Sequence, residues 1–315
     1  MTAYPTYSCS FAFDTEEASV GTISCSLARE AVWTVLEIAR SSGGAANFRF
    51  GVSFNGASSL TPFFPAACSS ALAPDSSPAF AFGLENSALL VAACRAAAAK
   101  TSGKPDLEAV GRSVERAWES VLHRLTQIGL QYEWDAAQKG CKFVFKGTDT
   151  SINPCMRPGQ GIGDAYKLVL EGGLGAPGTT ALTERLTRAI RAAGAMQTGY
   201  RGVMLALAED PSLAALAEKG RVSAGLLLSW AAVCGVGVDT VPCPCPEQYT
   251  KEEEEVVDGL VGVLLDAAAL SRRLDGKPLS VRFLPAPGKK AGELATFDSP
   301  HLVPSMTIPR LGHGA

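Results

Sequence analysis

Apolar positions along the chain alternate between two periods, one of about 3.6 residues and one of 2, and the alternation outlines a mixed α/β protein. From Ser26 to Arg40 the apolar residues Leu27, Val32, Trp33, Leu36, Ile38 and Ala39 are interleaved with Arg29, Glu30, Glu37 and Arg40, an amphipathic helix stopped by Gly43-Gly44. Residues Asn47 to Phe54 then place Phe48, Phe50, Val52 and Phe54 on one face of a strand. A short strand over Ala79–Leu84 leads into an alanine-rich helix over Glu85–Lys100, and Asp106 caps a longer helix that Gly129 is expected to close after Ile128. Gln131–Trp134 and Cys141–Lys146, split by DAAQKG, have the composition of a hairpin. Helices are further expected over Gly159–Glu171, Thr179–Ala193, Pro211–Lys219 and Ser223–Ala232, the second with Arg185, Arg188 and Arg191 as a solvated stripe.

Cys234–Val241 looks like a buried strand halted by Pro242, Pro244 and Pro246. Thr250 caps a long helix whose glutamates 252–255 lie at its positive dipole end and which finishes at Arg272, Arg273, Gly276 and Pro278. The last strand, Leu279–Leu284, meets Pro285, Pro287 and Gly288 and is followed at once by Lys289 and Lys290. Strands separated by helices imply a predominantly parallel sheet, open or closed, with helices outside. A single domain over residues 1–300 and a loose tail over 301–315 are expected, with no internal repeat.

Composition narrows the function. With 47% apolar residues in 315, a large core can be buried. A net charge of -3, from 28 basic and 31 acidic residues, offers no attraction to nucleic acid or an anionic membrane, so a small molecule or a protein is the expected partner. Nine irregularly spaced cysteines and no secretory pattern point to reduced thiols and a cytoplasmic setting.

Three polar segments could carry chemistry if parallel strands bring them to one rim. Asp149-Thr150-Ser151-Ile152-Asn153-Pro154 packs short polar side chains into one turn, which either binds a ligand through residues such as Ser151 or bonds its own backbone. Gly178, Thr179 and Thr180 open a helix where free amides could receive an anion, or where Thr179 simply caps. Asp239 ends an apolar run, the position of a general base or a metal ligand, and Glu85 is a third carboxylate at a strand end. Arg282, Lys289 and Lys290 supply positive charge near one strand end, and Arg201 could clamp a carboxylate. Cys243 and Cys245 lie too close together for the usual zinc half-site, and His123, His301 and His313 are scattered.

The segments NFRF (47–50), TPFFPAA (61–67), FGLE (82–85), DTSINP (149–154), GAPGTTAL (175–182), CGVGVDTVPCP (234–244) and LPAPGKKAGE (284–293) occur in an order that resembles the uncharacterised family numbered 711 among domains of unknown function, particularly its shorter archaeal-type members. The resemblance implies a pyruvate formate-lyase-like α/β barrel of mainly parallel strands. It does not imply radical chemistry, because YRGVM at 200–204 departs from a glycyl-radical loop and no adjacent cysteine pair exists. Together these features lead to the expectation of a homo-oligomeric, non-radical lyase, isomerase or hydrolase acting on a small carboxylated or phosphorylated metabolite, cofactor unknown, with a divalent cation as an open option. The alternative is a catalytically inactive binding protein or scaffold.

Overall fold

A computed structural model describes residues 9–13, 24–55, 60–64, 77–194, 196–246, 251–275 and 277–308. Strand β1 (Cys9–Phe13) pairs in parallel with β2 (Phe50–Phe54), and β2 pairs antiparallel with β7 (Leu279–Pro287), Val52 opposite Val281. In turn β7 runs parallel to β6 (Gly237–Cys245), giving the order β1-β2-β7-β6. A second, parallel sheet holds β3 (Ala79–Gly83), β4 (Val144–Asp149) and β5 (Gln197–Thr198). Parallel bridges Ile152–Val203 and Ala206–Asp239 join the two sheets through the segment that follows β5. The protein is therefore mixed α/β with mainly parallel strands. Among the described residues the ladders do not close into a ring.

The helices follow the apolar periodicity. Helix α1 (Cys25–Ser42) is capped by the Ser24 hydroxyl and ends at Gly43 in the left-handed conformation. Helices α2 (Ser87–Ala98) and α3 (Leu107–Gln138) come before β4, α4 (Ile162–Val169) and α5 (Thr179–Ala192) before β5. They are followed by α6 (Pro211–Glu218), α7 (Ala224–Ala231) and α8 (Lys251–Arg273). Helix faces and sheets share one core in which Trp118, Trp230 and Tyr166 are buried. The expected Thr250 cap lies outside the described residues. Of the glutamates that open α8, Glu253 is buried against Arg40.

Several expectations are corrected. Gly129 does not end α3; the helix continues to Gln138, and no hairpin forms over 131–146. Gly129 is instead a contact point, since a Cβ there would sit 2.5 Å from the buried Phe145 ring of β4. Tyr132 and Trp134, whose aromatic character resembled a strand, lie on the exposed side of the helix. Gly129→Ala is accordingly expected to cost about 1–3 kcal/mol of overpacking despite the better helix propensity of alanine, a loss that urea denaturation can measure.

The prolines of β6 and β7 do not end those strands. Alternate residues of a parallel strand turn their polar groups to opposite neighbours, so a proline is harmless on the side where no partner needs its N–H. Cys245 O accepts from Gly288 N (2.8 Å) on the β7 side, whereas Pro242 faces the other way, its O accepting from Ile308 N (3.0 Å). Pro285 and Pro287 lie beyond Val281, where pairing with β2 has ceased. Arg185 is not on a solvated face either: it is 6% exposed, lies against Gly111 and pairs with Glu108 at 3.1 Å. The stretch expected as a loose tail packs as far as Ile308, with β9 (Ser305–Met306) pairing antiparallel with β8 (Leu294–Ala295).

Candidate functional site

Residues that follow β3 and β4 and residues within β6 and β7 line a cleft of about 550 Å³. Glu85 follows β3, Asn153 follows β4, Glu209 follows the segment bridged to β6, and Asp239 and Arg282 belong to β6 and β7; all five line it. The loops after β3 and β4 are the positions at which parallel sheets bind ligands, because loops there vary while the strands hold them in place. Phe48, Phe63, Phe64 and Met204 supply the apolar wall.

A buried ion network occupies the floor. The Arg282 guanidinium donates Nε–H to Asp239 Oδ1 at 2.6 Å and Nη2–H to Asp239 Oδ2 at 2.9 Å, a two-pronged pairing. The same Nη2 donates to Glu209 Oε1 at 2.6 Å, and Nη1 donates to Phe48 O at 2.9 Å. Its plane also lies over the rings of Phe48 (4.8 Å) and Phe64 (5.6 Å). Burial opposes the Arg282 charge, but Asp239 and Glu209 outweigh it and hold the pKa above its ordinary value. With two carboxylates on one guanidinium, Arg282 is an internal counter-ion first, which corrects the expectation of a free anion hook.

Glu209 differs from its neighbours. Burial, joined by repulsion from Asp239, pushes its carboxyl up to about 7, against the pull of Arg282 and a hydrogen bond with Thr240. The local backbone explains the placement. The β6–β7 register shifts between Val238 and Val241, and Thr240 within that irregularity takes φ +45°, a conformation that is costly for a β-branched residue. Thr240 O and Asp239 O accept from Ala208 N (3.1 Å) and Leu207 N (2.9 Å), so the bulge in β6 also fixes the segment that carries Glu209.

Other expected residues lie elsewhere. Asp149 is fully buried and outside the cleft lining; it accepts from Thr61 Oγ1 (2.6 Å), Ser151 N (3.0 Å) and Oγ (2.6 Å), Tyr200 N (3.1 Å) and Arg201 N (3.3 Å). Five donors make it a clamp between the β4 turn and the 199–201 turn. Ser151 is spent in the same clamp. Gly178, Thr179 and Thr180 follow α4 rather than a strand, so they miss the rim, and Thr179 Oγ1 is engaged by Gly175 N (2.9 Å) and Ala176 O (2.8 Å). Lys289 and Lys290 are exposed beyond the far end of β7, several residues past Arg282, and Arg201 is on the opposite rim.

Glu209, Arg157, Gln160 and Phe48 line the cleft without having been expected there, and His301, stacked on Phe48 with centroids 5.8 Å apart, joins them. The signal for Glu209 was present: MLALA ends in Glu209-Asp210-Pro211, the same apolar run closed by an acid that flagged Asp239. Among the described residues no three His, Cys, Asp or Glu side chains are grouped so as to hold a metal ion, and the seven described cysteine side chains are free thiols. No helix among them is long and apolar enough to cross a membrane.

A family model described as "Uncharacterised ACR (DUF711)" matches residues 4–298. The chain is similar to a UPF0210 protein of Carboxydothermus hydrogenoformans, 29% identical over 197 residues, covering 61% of this chain and 40% of the relative. It is likewise similar to UPF0210 proteins of Pyrobaculum arsenaticum (31% over 208 residues, 61% and 43%) and Methanopyrus kandleri (31% over 153 residues, 47% and 32%). The matches thus span less than half the length of these curated relatives.

Proposed function

The chain belongs to the DUF711 family of uncharacterised proteins, and from that premise we propose that its cleft catalyses proton transfer on a small anionic metabolite, a non-radical step of lyase, isomerase or hydrolase type. The observation that carries the reading is Glu209: a carboxyl at the cleft wall, 2.6 Å from a buried guanidinium, with a pKa pushed up to about 7. A general acid–base works best when its pKa lies near the ambient pH, since both protonation states are then populated. Asp239 holds Arg282, and Arg282 in turn fixes the Glu209 carboxyl, which is the arrangement of a base with an orienting partner. Arg157 at the mouth, with Asn153 and Gln160 beside it, would receive the carboxylate or phosphate of the metabolite.

The same reading extends the frame to a pyruvate formate-lyase-like α/β barrel, supported by the parallel pairing of β4 with β5 and of β6 with β7 and by the parallel bridges between the two sheets. A binding protein that kept the cleft without turnover is the competing reading.

Thermal-shift screening against carboxylated and phosphorylated metabolites, followed by turnover assays on the hits, tests the proposal. Glu209→Gln is expected to keep ligand-induced stabilisation and lose turnover by roughly 10²–10⁴-fold. Unchanged turnover in that variant would remove Glu209 from the chemistry.

A pH effect follows from the same carboxyl. Its pKa is raised on folding, so between the ordinary glutamate value and about 7 the native state binds more protons than the unfolded chain. The stability it contributes is therefore complete at the acid end and lost as pH rises through about 7. Glu209→Gln mimics the protonated form and is expected to remove this part of the slope, leaving the variant more stable than the wild type at pH 8 and similar to it at pH 5. Urea midpoints at the two pH values measure the difference.

A further inference from the structure

On the opposite rim, where the strands begin, lies a second cleft of about 580 Å³. Arg201 enters it just ahead of the Val203 bridge, Val233 ahead of β6, and Lys277 ahead of β7, while Arg188 and Arg191 reach it from α5. Its charges do not balance. Arg188 is occupied by Glu184 (3.2 Å) and Glu108 (3.3 Å). Arg191, Arg201 and Lys277 have no carboxylate within ion-pair distance among the described residues, and Glu184 is the one acid in the lining.

Arg191 and Lys277 are held by neutral carbonyls, Arg201 through its backbone. Arg191 donates Nε–H to Arg201 O at 3.0 Å, which leaves its terminal nitrogens available, and Lys277 Nζ donates to Ala231 O at 2.6 Å with two further N–H bonds to give. Arg201 is held at φ +51°, an unusual backbone for a residue that is not glycine, and its N–H is tied to Asp149 at 3.3 Å. The Asp149 clamp thus anchors the backbone from which one of these guanidiniums projects. Burial, and for each a neighbouring arginine, lowers the pKa of Arg191 and of Lys277. Like charges gathered without a counter-charge destabilise the protein that holds them, and an anion of two or more charges relieves the repulsion.

We propose that Arg191, Arg201 and Lys277 form a binding site for a phosphate group carried by a small molecule, on the rim opposite the acid–base cleft and independent of it. Three cations match a dianion better than a single carboxylate, and guanidiniums engage phosphate oxygens in pairs. A concave site facing a protein of net charge -3 suits a small ligand better than a polyanionic surface.

Isothermal titration with inorganic pyrophosphate, in 50 mM salt, is the direct test. Saturable binding to the wild type is expected, weakened at least about tenfold by R191Q and by K277Q and unaffected by E209Q. Absence of saturable binding, or R191Q and K277Q binding as the wild type does, overturns the site. A labelling measurement needs no variant: phenylglyoxal modification of the wild-type protein, mapped by mass spectrometry, is expected to fall at Arg191 and Arg201 when pyrophosphate is present. Equal modification with and without it likewise overturns the proposal.

Discussion

Replacing Arg282 with methionine is expected to lower stability by about 3–5 kcal/mol at pH 8, because it strips the counter-ion from two carboxylates that share one buried guanidinium. Asp239 and Glu209 would then face each other across the floor of the cleft, keeping their hydrogen bonds with Thr240 but no cation, beside the rings of Phe48 and Phe64. The variant can relieve part of the repulsion by taking up a proton, so its deficit should be smaller at pH 5 than at pH 8. The sign follows from linkage: carboxyls whose folded pKa is raised stabilise the native state in acid and cease to do so as pH climbs through that value. Converting the whole network to apolar groups, with D239L and E209M added to R282M, should recover most of the loss, since the cost lies in unpaired charge and not in the absence of a salt bridge. Urea midpoints for wild type, single and triple variants at both pH values decide the matter; a single variant no worse than the triple one would mean that the cleft is wet enough to solvate the carboxylates.

Gly237→Ala is the second large effect. Gly237 holds φ +120°, which residues with a side chain rarely adopt, and a Cβ at that position would sit 2.3 Å from Ser280 O and 2.9 Å from Ser280 N of the neighbouring strand. Those are backbone atoms in a ladder and cannot swing aside. Overpacking of about 1–3 kcal/mol and backbone strain of about 1–3 kcal/mol combine to an expected loss of about 2–6 kcal/mol. Two residues further on is Asp239, so the variant should also disturb the Asp239–Arg282 pairing, and a folded but weakened protein should show a changed dependence of stability on pH. Gly262→Ala offers the contrast, because nothing lies within 4 Å of its added methyl and the helix gains propensity. Equal stability in the two alanine variants would contradict the close approach of β6 to β7.

The segment CGVGVDTVPCP illustrates what periodicity can and cannot reveal. An apolar run closed by Asp239 was enough to place a strand, and β6 covers Gly237 to Val241 of that stretch with Asp239 inside it. The prolines that follow were expected to stop it. They do not, since the side of the strand on which a residue turns its N–H is a property of register, which no local pattern carries. Helix α3 shows the converse. Gly129 has the composition of a helix end, but its role is to admit the Phe145 ring, a neighbour 16 residues later that only packing supplies.

The candidate site divides in the same way. Asp239, Arg282 and Glu85 were legible because a charge within or just after an apolar run is visible in one dimension. Asp149 was equally visible and proved to be a backbone clamp with five donors, because a carboxylate and its possible hydrogen-bond partners look alike whether or not a cleft stands beside them. Lys289 and Lys290 sit close to Arg282 in sequence but well beyond it along an extended strand, at about 3.3 Å per residue, which takes them away from the cleft.

By itself the amino-acid sequence determined the α/β class, the position of most helices and strands, the Gly43 end of α1, the Asp106 cap of α3, and the motif order that marks the family. These rest on spacing and on local backbone preference, both of which are carried by neighbours in the chain. Only the tertiary structure decided that Glu209 joins Asp239 on Arg282, that the strands stay open among the described residues, and that Arg191, Arg201 and Lys277 meet at the other rim. The physical reason is that burial and charge pairing depend on distances between residues far apart in sequence, and those distances exist only once the sheets have formed.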